Sequence, residues 1–438
     1  MPDTVSFGDG MRLRRRVWAF VLTAAGCCAP APVSPRPAPP SVPPVAIDLP
    51  LTTPTIPDLN AKRLPKLPPR TGTGPEGSAF RKLTESDCLL LAAANTGTAN
   101  LLDEENRVPP AAKECDTPGD RLRRSLRYHT ALTFRNLSAA EALDRFFQLA
   151  DAEARTDLLR KAFPITDGFL AKAKAAKAQD VRYPLDPADL ERQRSQMVSQ
   201  LEQAELGSRL LNLDLKRRLG LPPAPPDERL WPAGDFTIDP TPVDPEAAVN
   251  AALADRPDLR GLRELYNGLT PDTLPDLRDY LRAGSPLLGS RAGAALSPVA
   301  LLARRVLHRK PGPDPATLAE LEVRRKQLRD LIAERERTAA DEARAAALVL
   351  NAQTTRATLA RDRLLMWDEK LADAVKKREA NQPGAEFLEA QVRMEWLKAK
   401  AEVTAEVAAW HQARVRLRAA QGWLAWEAVG ADASTTRR

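Results

Sequence analysis

A mainly α fold, made of two tandem long antiparallel helical hairpins of the coiled-coil or α-barrel type with little or no β-structure, is what this 438-residue sequence predicts. Three observations predict it. From Ala316 to Gln382 no proline or glycine interrupts a run dominated by Ala, Arg, Glu, Lys and Leu, all strong helix formers. Short proline-containing turns divide two such stretches into an outgoing and a returning segment. The halves also echo each other: the shift that carries Gly220 onto Gly422 pairs Leu185 with Phe387, Leu190 with Val392 and Leu215 with Leu417. Self-similarity at a fixed period marks a fold assembled from equivalent units. Long hairpins in tandem suit a rod or a tube wall.

The N-terminal 27 residues read as a lipoprotein-type signal peptide. Arg12, Arg14, Arg15 and Arg16 supply a basic start and Val17 to Ala25 an apolar core. That core is too short for a bilayer, which needs about 20 apolar residues. Ala24-Ala25-Gly26 places small residues before Cys27, as in a bacterial lipobox, so Cys27 is the expected lipidation point, with plain secretion as the alternative. Either route puts the mature chain outside the cytoplasm. Residues 28–80 follow as a proline-rich disordered spacer. Of the chain's 39 prolines, 15 fall between 30 and 75, so this stretch is expected to stay extended at about 3.1 Å per residue.

The first hairpin repeat is placed at 81–243. Residues 96–136 look irregular. Ser138-Ala139-Ala140-Glu141 reads as a capping box that opens a helix toward Ala178, kinked at Pro164 and Gly168. A turn through Asp180 and Pro184 reaches Asp186, which caps the returning helix with Pro187 in its first position. That helix stops at Leu219-Gly220, where glycine adopts the left-handed conformation. Asp235 to Ile238 reads as a short strand.

The second repeat is placed at 244–430, with a tail at 431–438. Pro245 to Asn250 starts a helix that ends near Arg256-Pro257, and 284–315 is rich in Gly, Pro and Arg. The run from Ala316 gives a helix about 100 Å long at 1.5 Å per residue. Its apolar stripe is Leu328, Ile332, Leu348, Leu359, Leu364, Leu371 and Val375. Asn381, Pro383 and Gly384 break it. A return helix over 386–427 carries Leu388, Val392, Trp396, Val403, Val407, Trp410 and Leu417 on one side. So short a break makes the two helices antiparallel neighbours.

Composition narrows the function classes. Lys and Arg number 65 against 58 Asp and Glu, and this modest +7 lacks a basic stripe with interleaved aromatics, so no nucleic-acid partner is expected. No later window is apolar enough for a membrane-spanning helix. Cys88 and Cys115 are the candidates for one disulfide in an oxidising compartment. His129, His308 and His411 are isolated and make no metal spacing, and no catalytic constellation or phosphate loop assembles from the remaining residues. No enzyme activity, cofactor or metal is expected. Trp396, Trp410, Trp423 and Trp426 either pack within the hairpin or line a subunit contact.

Two stretches resemble a known family. Leu211-Asn212-Leu213-Asp214-Leu215-Lys216-Arg217-Arg218-Leu219-Gly220-Leu221-Pro222 resembles the end of the first returning helix in TolC-like outer-membrane efflux proteins. Asp244-Pro245-Glu246-Ala247-Ala248-Val249, followed by Ala251 to Leu259, is similar to the helix that ends in that family's Ala-Leu-x-x-Arg-Pro-Asp-Leu pattern. Lys377 to Asn381 and Leu388 to Gln391 resemble the second periplasmic tip, and Asp180 to Gln193 occupies the place of the first. The likeness covers roughly 138–428. It implies a homotrimer whose hairpins form a periplasmic tunnel, an outer-membrane location, and partnership with a periplasmic adaptor and an inner-membrane transporter. Barrel hairpins would then fall near 100–136 and 275–315, where prolines and arginines replace alternating membrane strands. A reduced or absent barrel is therefore expected. The expected function is an efflux or secretion channel component, and the alternative is a lipid-anchored periplasmic coiled-coil spacer or adaptor without a functional barrel.

Overall fold

Long helices whose ends are set by a handful of residues organise this chain. The computed structural model describes residues 69–70, 79–108, 117–180, 185–221, 228–234, 236–284 and 315–430. All of them belong to one unit within Leu49–Arg438. Three strands, β1 (Pro69–Arg70), β2 (Ala79–Leu83) and β3 (Glu228–Pro232), form the sheet among these residues, in the order β1-β2-β3. β2 pairs antiparallel with β1 and parallel with β3. Pro69 and Pro232 sit in the two edge strands, the places in a sheet where proline is tolerated.

The helices are α1 (Glu85–Ala94), α2 (Gly97–Arg107), α3 (Pro118–Ala178), α4 (Pro187–Arg218), α5 (Pro245–Asp255), α6 (Pro257–Asn267), α7 (Leu274–Gly284), α8 (Pro315–Glu379), α9 (Ala385–Ala420) and α10 (Trp423–Val429). The antiparallel pairs α3/α4 and α8/α9 are the two expected hairpins. α3 also packs on α9, which sets the four long helices in the order α4, α3, α9, α8.

Helix ends repeat at nearly the same interval as the sequence, to within one residue. At the far ends of the outgoing helices Asp180 (φ 55°) and Asn381 (φ 51°) are left-handed, and Gly220 (φ 62°) and Gly422 (φ 77°) stop the returning helices. After α8 the Gln382 N–H reaches Lys377 O and the Asn381 N–H reaches Arg378 O. After α4 the Leu221 N–H reaches Lys216 O and the Gly220 N–H reaches Arg217 O. Both are Schellman motifs, which satisfy carbonyls that a helix end leaves without donors.

Where the ends of α4 and α9 meet the middle of α3, the main core forms. Leu83, Leu91, Leu143, Phe146, Phe147, Leu215, Leu219, Leu230, Val415 and Leu424 pack there. Ala248, Ala347, Leu350, Trp410, Ala413 and Leu417 extend it to α5 and α8. This region is the hub of the fold. Toward the tips the clusters shrink to Leu158, Ala162 and Leu397, then to Leu170, Ala173 and Leu190.

The structure corrects several expectations. α3 starts at Pro118, not Ser138. Thr117 is its N-cap, in a reciprocal capping box with Asp120. Ser138 lies inside the helix and donates to Ala92 O at 3.3 Å. The stretch 96–136, expected to be irregular, is therefore α2 and the first third of α3 wherever it is described. Its Leu122, Ser125, His129 and Leu132 are buried on one face, and that packing outweighs the glycine and proline content that suggested a loop. The strand expected at 235–238 is found earlier, at β3. Phe236 instead packs irregularly against Phe146 and Phe147, with centroids 6.4 and 6.2 Å away. Residues 69–70 and 79–80, assigned to the spacer, join the sheet. The return helix of the second hairpin breaks at Gly422, leaving α10 as a separate short helix. Finally, Leu348 and Leu359 are more than half exposed, whereas Ala339, Ala343, Ala347, Ala357 and Ala360 are buried. Small residues form the α8 seam because they let backbones approach closely.

Candidate functional site

In a row of helices the places where chemistry can concentrate are the tips, the hub and the lateral edges. At the first tip, Gln179 closes α3 and Asp180 takes the left-handed turn. Pro184 lies outside the described residues. The Asp186 carboxylate accepts from the Ala188 N–H at 3.1 Å as N-cap of α4, and Pro187 follows at its first position. At the second tip Asn381, Pro383 and Gly384 (φ 76°) make the turn into α9. The tips touch. Lys172 pairs with Glu386, and the Phe169 and Phe387 rings meet edge to face at 5.7 Å. Lys174 bonds Glu191 at 2.7 Å across the first hairpin, and that hydrogen bond and charge lower the Glu191 carboxyl below its ordinary range.

A charged residue that motif reading missed lies just behind the second tip. Glu389 is only 4% exposed, yet it accepts from Arg378 at 2.8 Å and Arg393 at 2.7 Å. Two guanidiniums offset the desolvation of one buried carboxylate. The Glu-to-Arg spacing of four was readable as a helix-surface pair, but the burial was not.

At the hub, polar groups fasten the repeats. Asn95 donates to Leu219 O at 2.6 Å and Asn136 to Ala419 O at 2.8 Å, so each returning helix has a terminal carbonyl held by an asparagine. Asn212 exchanges two bonds with the backbone of Leu230, and Asn351 does the same with Val243. Arg414 and Arg418 of α9 hold Glu85 of α1 at 2.5 and 3.0 Å. Burial pulls the Asp214 carboxyl upward, but hydrogen bonds from Arg217 and Arg218 and the charges of Arg218 and Arg145 outweigh it and hold it at about 2. Nearby, the 1% exposed Arg135 pairs with Asp103 of α2, and His129 Nε2 lies 3.0 Å from Glu264 of α6. Gly261 permits that approach, since a Cβ there would stand 3.1 Å from the His129 Cβ.

The remaining candidates fall into packing positions or outside the described residues. Cys27, Cys115 and His308 lie outside them. Cys88 is a free, fully buried thiol in α1, pushed far up by burial and then by the charges of Glu85 and Asp87. His411 is buried against Phe147 in a stacked pair with centroids 4.7 Å apart. Trp410 donates to Thr354 at 2.9 Å, while Trp423 and Trp426 donate to the Asp255 carboxylate and carbonyl at 3.0 and 2.8 Å. Trp396 donates to Asp368. Among the described residues no cluster of His, Cys, Asp and Glu would hold a metal ion, and no helix is long and apolar enough to cross a membrane.

The outer helices of the four-helix row, α4 and α8, carry exposed apolar side chains. On α4, Leu206, Leu210 and Leu213 are 58, 57 and 62% exposed at spacings of four and three, which is one helix face. α8 exposes Leu348, Leu359 and Met366, also on one face.

No family model matches the sequence, and no curated protein matches it. Solved structures do. The Campylobacter jejuni CmeC outer membrane channel superposes with a TM-score of 0.52 at 11% identity, over 77% of this chain and 85% of that one. The outer membrane protein VceC from Vibrio cholerae gives 0.45 at 11% identity over 78 and 93%. The Neisseria gonorrhoeae MtrE outer membrane channel gives 0.44 at 10% identity over 77 and 88%. At such identities the CmeC likeness speaks for the fold alone, and the strands among the described residues are the three short ones of the β1-β2-β3 sheet.

Proposed function

We propose that this chain is a periplasmic helical spacer or adaptor, lipid-anchored through Cys27 at the outer membrane, built on the helical body of an outer-membrane channel but without a functional barrel. One observation carries the reading. At the first place where the resemblance calls for membrane strands, the described residues are α2 and the start of α3, and their buried Leu122 packs with Leu265, Leu274, Leu277, Leu321 and Leu328. At the second place the residues described up to Gly284 are α7, which joins the same cluster. A spanning sheet must close on itself to satisfy its backbone, whereas the described parts of these segments satisfy theirs as helices.

The exposed edges support assembly. If the leucine face of α4 meets the apolar face of α8 on a second copy, the contact is head-to-tail, and such contacts generate rings when the rotation closes. A homotrimer is the closed ring expected from the family resemblance. Partnership with a periplasmic adaptor and an inner-membrane transporter would use the paired charged tips.

Reconstitution of the full lipidated chain into planar bilayers tests the reading. The expected result is membrane association without discrete conductance steps. Stable, large-conductance channels would restore the efflux or secretion channel reading in its place.

A further inference from the structure

Between hub and tips, α3 and α9 part to leave a groove of about 430 Å³. Lys161, Pro164 and Ile165 line it from α3, and Arg393, Trp396 and Leu397 from α9. Its volume lies in the range of small-molecule sites, roughly 300–1,000 Å³. Three of the lining residues, Ile165, Trp396 and Leu397, belong to the apolar cluster built around Leu158 and Ala162, which backs the groove.

The two charged residues that line the groove, Lys161 and Arg393, are both cations. Lys161 pairs with Asp157 at 2.6 Å and Arg393 with Glu389 at 2.7 Å, each one helical turn back on its own helix. Lys161 and Asp157 are both more than half exposed, and such pairs exchange partners at small cost. A third cation, Lys400, lies 4.8 Å from the centre of the Trp396 ring. The indole is fixed from the α8 side by its bond to Asp368. Pro164 is a costly residue inside a helix, because it lacks an N–H and crowds the preceding turn. Here its ring and the indole line a common space, and both offer flat apolar faces on which a ring can stack.

We propose that this groove binds an amphiphilic organic anion: a carboxylate or sulfonate on an aromatic or alkyl body. The apolar part would lie on Trp396, Pro164 and Leu397, and the anionic head would bridge Lys161 and Arg393. The proposal is independent of the spacer reading above, because it requires neither a barrel nor a lipid anchor.

Titration calorimetry on the full chain with 2-naphthalenesulfonate tests it, with laurate as the chain-bearing counterpart and 2-naphthalenemethanol as the neutral one. Saturable 1:1 binding of at least one anion is expected, at least tenfold tighter than the neutral compound. Tighter binding of the sulfonate would identify a ring ligand, and tighter binding of laurate a fatty-acid-like one. The variant Lys161→Gln, which removes only an exposed pair with Asp157, should weaken binding of the anions at least fivefold with an unchanged unfolding temperature. In the unmodified chain, the Trp396 indole N–H resonance, assigned by its loss in Trp396→Phe, should move on titration. Absence of saturable binding, equal affinity for the neutral compound, or an unmoved Trp396 resonance would each overturn the proposal.

Discussion

Four single residues, Asp180, Gly220, Asn381 and Gly422, do the same backbone task with different side chains. All are left-handed at a helix end, and the surroundings explain the choice of residue. A Cβ on Gly220 would lie 2.7 Å from the Asn95 Cβ, and one on Gly422 would lie 2.8 Å from the Pro257 Cδ. Both hub stops are therefore glycines for space as well as for φ. The tips leave room for a side chain, and Asp and Asn are the side-chain-bearing residues that tolerate the left-handed region best. Gly220→Ala should accordingly cost about 2 kcal/mol or more, combining left-handed strain with a clash. Asn381→Gly should shift stability by about 0.5 kcal/mol at most. Chemical denaturation of both variants checks this, and equal losses would contradict the distinction. The glycine stops were visible in the sequence. Asp180 and Asn381 were visible only as turn residues, because a residue's φ depends on the helix end it closes.

Among the elements, α3 shows most clearly how tertiary packing overrides a local motif. Two capping boxes of similar form, Thr117–Asp120 and Ser138–Glu141, compete for the start of this helix. Only the first is used. The turns between them bury Leu122, His129 and Leu132 and carry Arg135 into its pair with Asp103 of α2. That pair fastens α2 to α3. Removing one member of a buried ion pair leaves an unmatched charge, so Asp103→Ala should destabilise the chain by about 3–5 kcal/mol. Replacing both, with Asp103→Leu and Arg135→Met, should recover most of the loss. Thermal unfolding followed by circular dichroism distinguishes the two variants. A double variant as unstable as the single one would mean the pair matters for something other than its charge. Neither partner stood out in the sequence, since Arg135 and Asp103 are 32 positions apart and form no short-range spacing.

For the whole molecule, the row α4, α3, α9, α8 leaves two apolar edges, and assembly should depend on them. Leu206→Glu with Leu210→Glu places like charges on the exposed face of α4 without touching the core. The unmodified chain is expected to be oligomeric by light scattering after gel filtration, and the double variant monomeric with unchanged helical signal. An unaltered mass in the variant would remove α4 from the interface. The leucines on this edge were legible as helix residues but not as surface ones. Periodicity reports which residues share a face, not whether another helix covers that face. The same limit corrects the expected α8 stripe at two positions: Leu328 is buried as expected, but alanines fill much of the seam and Leu348 and Leu359 point away. By itself the sequence determined the helical class, the two hairpins, their turns and their glycine stops. Each of these follows from local propensities and from backbone conformations open to few residue types. Only the tertiary structure decided that 96–136 is helical where described, that Phe236 anchors the core rather than a strand, and that Glu389 is buried behind the tips. Those outcomes depend on contacts between residues far apart in the chain, which fix how closely the helices approach and therefore which side chains lose their water.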